Sequence, residues 1–194
     1  MASTGKNLEG VQGGLLACAF TGGKLAGWQN GLITRTDGSL SGFQLSFVGL
    51  TRGNFQGAQF GLGYAWTGET LEEAQIGLVA HASNSEGVAS TGSLHGLQFG
   101  MVSVTDFQLQ GAQFGIIYAL ADERMKGLQL GTVTQAGDTD GVQFGLLNLA
   151  KKARGLQIGL VNIAQDMHGL QIGLGNIIRS KGRFQGLPLV NWQF

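Results

Sequence analysis

The sequence predicts an all-β protein, an antiparallel up-and-down transmembrane β-barrel of about twelve strands built from repeats of about fifteen residues. Three observations predict this fold. A motif that is clearest as Gly155-Leu-Gln-Ile-Gly-Leu-Val-Asn162 recurs along the chain. Large apolar residues alternate with glutamine and glycine within each copy. Charged residues lie almost entirely between the copies. The copies run without a linker from near Gly10 to Phe194, which predicts one repeat-built domain over residues 1–194.

Each copy of the motif predicts one strand. In the clearest copy, Leu156 and Ile158 point to one side while Gln157 and Gly159 point to the other, and this period of two is typical of a strand. Eleven copies carry the glutamine, and the last carries Pro188 in its place. In chain order, the predicted strands are 10–17, 27–34, 42–49, 57–64, 73–80, 96–103, 111–118, 127–134, 141–148, 155–162, 169–176 and 186–193.

The distribution of charge indicates what surrounds these strands. The twelve windows hold 96 residues, of which only Glu73 is charged, and the rest of the chain holds the other 23 of the 24 charges. A charge-free band between charged turns is what the hydrocarbon of a bilayer requires of a spanning barrel. A strand of about 9–11 residues is long enough to cross it. The Leu/Ile/Phe face is therefore predicted to contact lipid.

Two other all-β folds fit the same repeat. In a β-solenoid, the copies stack in parallel and their glutamines form ladders. The spacing of copies varies from 14 residues between Gln143 and Gln157 to 23 between Gln75 and Gln98, whereas solenoids usually keep a stricter period. In a soluble barrel, the apolar face turns inward, and the charge-free opposite face argues against that arrangement. Barrel and solenoid differ in pairing, which is antiparallel between neighbouring copies in the first and parallel in the second.

The end of the chain resembles a known family. The last residues are Leu189-Val-Asn-Trp-Gln-Phe194, with Val190, Trp192 and Phe194 on one face. This segment resembles the C-terminal strand by which bacterial outer-membrane β-barrels are recognised for assembly, and the internal motif resembles short surface repeats of some bacterial outer-envelope proteins. The resemblance implies a bacterial outer-membrane location, the lipid bilayer and the barrel-assembly machinery as partners, and Trp192 and Phe194 as the assembly signal. No secretory signal is visible, and Pro188 fits the last strand only at a gap or bulge.

The glutamine and glycine face is predicted to line the lumen of the barrel. Twelve strands leave more interior space than eight, which their own side chains fill, so we expect a passive pore for small neutral solutes or a structural surface protein. Alternatively, the glutamines bond to one another and to the backbone and seal the barrel. The solenoid alternative implies a soluble scaffold, either structural or partner-binding. The predicted lumen-lining residues are Gln59, Gln75, Gln98, Gln113, Gln129, Gln143, Gln157 and Gln171.

Neither catalysis nor nucleic-acid binding is expected. Twelve basic and twelve acidic residues give no net charge, whereas a nucleic-acid surface needs a basic excess. No nucleophile and histidine stand in a catalytic pattern, and no cofactor motif is present, so the protein is not expected to be an enzyme. His81 and His95 flank a loop containing Glu86, either as a metal pair or as solvated loop residues. Four asparagines near turns are expected to satisfy local backbone groups; they are Asn148, Asn162, Asn176 and Asn191.

Overall fold

A computed structural model describes residues 2–14, 18–83 and 92–194. It is a parallel β-solenoid of about 10 turns, with 83% of its residues in strands and no helix in the described part of the chain. The predicted antiparallel transmembrane barrel is therefore wrong, and the solenoid alternative is confirmed. The predicted pore along the axis of the barrel is therefore wrong as well.

The strands follow the repeats but extend well beyond the motif. The longest strand, of 51 residues, passes through several coils of the solenoid without a break. In chain order the strands are β1 Ala2–Thr4, β2 Leu8–Gly13, β3 Cys18–Thr21, β4 Leu25–Thr36, β5 Leu40–Thr51, β6 Phe55–Thr67, β7 Leu71–Ala82, β8 Leu94–Thr105, β9 Gln108–Ile158, β10 Val161–Ile178 and β11 Gly186–Gln193.

Neighbouring repeats pair in parallel and in register, so equivalent residues stand directly above one another. Gln29 of β4 pairs with Gln44 of β5, and the same match continues from coil to coil through β10. The alternation of side chains is the same in a barrel strand and in a solenoid coil, and therefore the alternation alone did not separate the two folds.

Each coil runs outward along one strand segment, bends sharply, and returns. In the coil of Gln113, the side-chain Nε2 donates across the interior to the carbonyl oxygen of Leu120 at 2.9 Å, so the two segments face each other. The bend lies at Ile116, which is exposed. Glycine is required just before it, because a Cβ on Gly115 would lie 2.0 Å from the carbonyl oxygen of Tyr118.

Two features absorb the irregular spacing of the repeats. The longest spacing between copies lies between β7 and β8, and these two strands still pair in register, from Leu71 with Leu94 to Ala82 with Thr105. Where a coil is one residue longer, the register shifts at the bend, as between Gly61 and Tyr64. The variable period that argued against a solenoid therefore does not disturb the register of the described strands on either side of the bends.

The interior near the turns is closed by stacked apolar side chains. They are at most 1% exposed, and they form one ladder along the axis at the edge opposite the bends. Burial of such side chains stabilises a fold by about 1.5–3 kcal/mol each. Its large members are Leu25, Leu40, Phe55, Leu71, Leu94, Leu109 and Met125.

The final strand departs from the parallel stack. β11 pairs antiparallel with β10, which places Asn191 opposite Gln171. Pro188 therefore does not occupy the glutamine row that the motif alignment assigned to it. It lies where the register shifts, between the pairs Gly173–Leu189 and Asn176–Leu187, so its missing N–H interrupts no regular ladder.

Candidate functional site

The glutamines form one continuous hydrogen-bonded ladder inside the solenoid. From Gln29 to Gln171, each Nε2 donates to the Oε1 of the glutamine one coil earlier, at 2.6–3.1 Å. Most of these amides also donate to a backbone carbonyl across the interior. The residues predicted to line a lumen are all 0% exposed and bond in this way; they are Gln59, Gln75, Gln98, Gln113, Gln129, Gln143, Gln157 and Gln171.

A second ladder occupies the interior beside the bends in the last coils. Asn148 Nδ2 donates to Asn162 Oδ1 at 2.7 Å, and Asn162 Nδ2 donates to Asn176 Oδ1 at 2.7 Å. The same amides reach backbone carbonyls, such as that of Ile158 at 2.8 Å from Asn148 Nδ2. Asn191 is not part of this row, since it lies in β11 and its Nδ2 donates to the carbonyl oxygen of Gln185 at 3.0 Å. The recurrence of asparagine at one phase was the sequence signal for the ladder.

The outer surface around the bends is almost wholly apolar. We call it the apolar rim and define it by four positions in each of the ten coils from Gln29 to Gln171: one before, one after, three after and four after the glutamine. None of these forty positions is buried, and only Asn30 and Thr132 carry polar side chains. The row three after the glutamine stands at the bend and is the crest of the rim. Its apolar members, 40–68% exposed, are Leu32, Phe47, Leu62, Leu78, Met101, Ile116, Leu146, Leu160 and Leu174.

Charged side chains occupy the opposite edge of each coil. In the ten coils from Gln29 to Gln171, no Asp, Glu, Lys or Arg lies between the residue before the ladder glutamine and the fifth residue after it. Glu73, two before Gln75, and Arg35, six after Gln29, are the nearest on the two sides. The ion pair between Arg35 and Asp37, at 2.7 Å, is typical of this edge. Asp37 lies five positions after the crest residue Leu32, a distance of roughly 15–20 Å. The solenoid is therefore amphipathic across its width.

Two surface hollows accompany this division. A shallow apolar groove of about 970 Å³ lies on the rim, with glycine backbone such as that of Gly145 and Gly159 between its walls. Leu189 and Val190 of β11 close its end. A more polar hollow of about 660 Å³ lies among the turns near Glu72.

A hydrogen-bonded chain of three side chains crosses neighbouring coils. Tyr64 Oη lies 3.1 Å from His81 Nδ1, and His81 Nε2 lies 3.1 Å from Asp106 Oδ1. Burial, and secondarily the negative charge of Asp106, raises the pKa of the Tyr64 phenol above its ordinary value. A raised pKa keeps the phenol protonated, so this arrangement does not activate it as a nucleophile. Burial raises the pKa of Tyr118 as well, with the charge of Asp122 as the smaller cause.

The two histidines considered as a metal pair do not form a metal site in the described residues. His81 is engaged with Tyr64 and Asp106, and His95 lies exposed on β8. Glu86 lies outside the described residues. Within residues 2–14, 18–83 and 92–194, no three His, Cys, Asp or Glu side chains are grouped so that they could hold a metal ion.

The residues predicted as an assembly signal lie at the end of β11. Trp192 pairs with Leu170 of β10 and is half exposed, and the Lys181 ammonium lies 5.3 Å from the centre of its ring. Phe194 is 83% exposed. Their role in assembly stays a prediction.

Within the described part of the chain, no helix combines the length and the apolar character needed to cross a membrane. Comparison of the sequence and structure with protein-family models, with curated proteins and with solved structures gave no match.

Proposed function

We propose that this protein is a non-catalytic structural scaffold that attaches through its apolar rim and presents its charged turns to water. The observation that carries the proposal is the division of each coil into an apolar edge and a charged edge. None of the forty rim positions is buried, and only Asn30 and Thr132 among them carry polar side chains. The interior is filled by side chains from the other face of the strands, so packing of the interior does not explain the apolar rim.

The extent of the rim supports attachment as its role. Ten coils at the strand spacing of about 4.8 Å give a rim roughly 45 Å long. Monomeric soluble proteins rarely expose contiguous apolar patches above a few hundred Å², and larger patches mark interaction surfaces. The rim runs along both sides of the bend and exceeds that size, so leaving it in water is costly.

The interior supports a rigid framework. The glutamine ladder and the apolar ladder of Leu25 and its equivalents tie every coil to the next along the axis. Such in-register stacks of amides are rigid because each amide is fixed by neighbours on both sides. A rigid support holds the crest as a straight line.

A location follows as a further part of the proposal. The resemblance of the repeats to those of bacterial outer-envelope proteins favours the cell envelope, with lipid among the partners. Fractionation of the source cells tests this: recovery of the native protein with envelope membranes supports it, and recovery in the soluble fraction contradicts it.

Sedimentation velocity with and without detergent tests attachment through the rim. We expect the wild-type protein to self-associate in plain buffer and to become monodisperse in detergent micelles. A variant with Leu62→Ser, Leu78→Ser and Ile116→Ser should be monodisperse in both. The matched control replaces three exposed residues near the turns, Gln56→Ser, Glu72→Ser and Lys126→Ser, and should behave like wild type. A wild-type protein that is monomeric in buffer and binds no detergent contradicts the proposal.

A further inference from the structure

We infer that the surface which covers the apolar rim is a lipid layer, with the solenoid lying along the membrane and its crest inserted into one leaflet. The inference rests on the proposed function and names the partner of the rim. It requires no segment that spans the membrane.

The shape of the rim favours lipid over a second copy of the chain. The rows one before and one after the glutamine face outward from one side of the coil, as Trp28 does, and the row four after it faces outward from the other, as Ile33 does. The rim is thus a convex wedge. Two rigid wedges that meet side to side leave the other side and much of the crest uncovered, whereas fluid acyl chains surround all of it.

The area that a dimer would bury also favours lipid over a second copy of the chain. One side of the rim, about 45 Å long and about 10 Å wide, would bury roughly 450 Å² on each copy of a dimer. Stable protein interfaces bury about 800 Å² on each partner. A dimer through one side of the wedge is therefore too small, while insertion of the crest to a depth of 5–10 Å, typical of interfacial segments, covers both sides.

The rim is poor in the polar and anchor side chains that protein recognition uses. Interfaces between proteins carry about one hydrogen bond per 100–200 Å² and are enriched in Tyr, Trp and Arg anchors. Among the forty rim positions, Trp28 is the one anchor of these types, and Asn30 and Thr132 are the polar side chains. Tyr64 and Tyr118 pair with the row four after the glutamine, but their hydroxyl groups already bond to His81 and Gln135. The crest is aliphatic apart from Phe47, Met101 and Thr132. A lipid layer needs no polar match.

The backbone on both sides of the crest meets the other requirement of lipid contact. The crest residues themselves, such as Leu78 and Met101, stand between the paired segments. In hydrocarbon, unpaired N–H and C=O groups cost several kcal/mol each. The strand segments on both sides of the crest are paired with the coils before and after them, for example Phe99 with Phe114 and Val102 with Tyr118. What the rim presents outward is therefore mainly apolar side chains.

The position of the charges predicts which lipids bind. Most charged side chains lie five or more residues from the crest, roughly 15–20 Å away, and the nearest, Arg35, lies about 10 Å away. These distances exceed one Debye length at physiological salt, and the net charge of the chain is zero. Binding should therefore depend on apolar insertion rather than on anionic headgroups, and neutral vesicles should suffice.

Flotation with vesicles of neutral phosphatidylcholine tests the inference. We expect wild-type protein to float with the vesicles equally at low and high salt. The variant with Leu62→Ser, Leu78→Ser and Ile116→Ser should partition about 100-fold more weakly, because three inserted side chains are lost. The control variant with Gln56→Ser, Glu72→Ser and Lys126→Ser should bind like wild type.

A second measurement keeps the rim intact. The chain has three tryptophans, and Trp28 is the one on the rim within the ten coils. With Trp66→Phe and Trp192→Phe, the emission of Trp28 should shift to shorter wavelength on addition of vesicles and should be quenched by lipids brominated on the acyl chain. Unshifted, unquenched emission overturns the inference.

The outcomes separate this inference from the proposed function. A discrete dimer that the rim variant dissociates, with no flotation, overturns lipid as the partner but leaves the scaffold proposal intact. If the protein floats only with anionic vesicles and no longer floats at high salt, the charged turns bind lipid headgroups. This result also overturns the inference. A monomer that neither floats nor binds detergent overturns both.

Discussion

At the scale of single residues, the glutamine ladder makes the middle of the stack more sensitive than its end. Gln113 donates to Gln98 Oε1 at 2.7 Å and accepts from Gln129 Nε2 at 2.9 Å, whereas Oε1 of Gln171 has no hydrogen-bond partner. Replacement of Gln113 by Leu therefore breaks two ladder bonds, and replacement of Gln171 by Leu breaks one. We expect Gln113→Leu to lower the unfolding free energy by about 2–3 kcal/mol and Gln171→Leu by about 1–2 kcal/mol, measured by urea denaturation. An equal or greater loss at Gln171 contradicts the ladder as a source of stability.

Glu73 occupies a backbone position that the other nine coils between Gln29 and Gln171 give to glycine. Its φ is 90°, and its equivalent Gly96 has φ +139°, where a Cβ would lie 2.1 Å from the carbonyl oxygen of Glu73. Glu73→Gly relieves about 1–2 kcal/mol of backbone strain in the folded protein. Part of this gain in stability is offset because glycine has greater conformational freedom in the unfolded chain. We expect a net gain of about 0.5–1 kcal/mol in urea denaturation. Gly96→Ala is the control and should lose stability; a loss on Glu73→Gly would show that the position is not strained.

At the scale of elements, the chain Tyr64–His81–Asp106 joins β6, β7 and the residue after β8, and it predicts a dependence on alkaline pH. Because the pKa of Tyr64 is raised in the folded protein, its contribution to stability is complete below its ordinary value of 10.0 and is lost as the pH rises through the folded pKa. The unfolding free energy of wild type should therefore fall above about pH 10, and that of Tyr64→Phe should fall less steeply.

Urea denaturation across this pH range measures the effect. Below about pH 9, where the phenol is protonated in both states, Tyr64→Phe should cost about 1 kcal/mol, the value of one lost hydrogen bond to His81, independent of pH. Tyr118→Phe is the comparison, because the pKa of Tyr118 is raised mainly by burial as well. Parallel curves for wild type and Tyr64→Phe across pH 10 would contradict a raised pKa.

The elements themselves could be predicted from the sequence, but their pairing could not. Alternation placed a strand at 42–49, which lies inside β5, Leu40–Thr51. The strand is longer because the coil bends without breaking the ladder to its neighbours. One feature of the sequence does separate the folds. Every copy has its glutamine at the same position, and these glutamines stand beside one another in every pair of copies only when neighbouring copies run parallel. In an antiparallel pair, the first residues of one copy lie beside the last residues of the next.

The candidate site was predictable only in part for the same reason. The sequence showed a charge-free band and an apolar face opposite the glutamines, and these are the rows around the crest. It did not show that the chain folds back at Leu62 or Ile116, so the row four after the glutamine was missed. The meeting of Tyr64, His81 and Asp106 depends on a register shift between β6 and β7 and on the in-register pairing of β7 with β8, and neither leaves a motif in the sequence.

At the scale of the whole molecule, one repeated coil produces both the interior and the rim, and this makes the number of coils adjustable. In a solenoid each coil contacts only its neighbours, so stability is close to a sum over coils and interfaces. Removal of residues 127–140 deletes one coil, whose flanking glycines, Gly127 and Gly141, stand at the same phase. Gln143 then reaches the place of Gln129 and can donate to Gln113.

The protein with this deletion should fold, because every remaining row of side chains stays in register. We expect an unchanged circular dichroism signal per residue and an unfolding free energy lower by about a tenth, since about 10 turns become one fewer. The deletion also removes Thr132, the polar member of the crest, so binding to neutral vesicles should be kept. Removal of residues 127–133 is the control: half a coil shifts glutamines out of the interior row, and the protein should fail to fold. If neither deletion variant folds, the coils are not interchangeable. Stability is then not a sum of contributions from individual coils, and the rim is not built up one coil at a time.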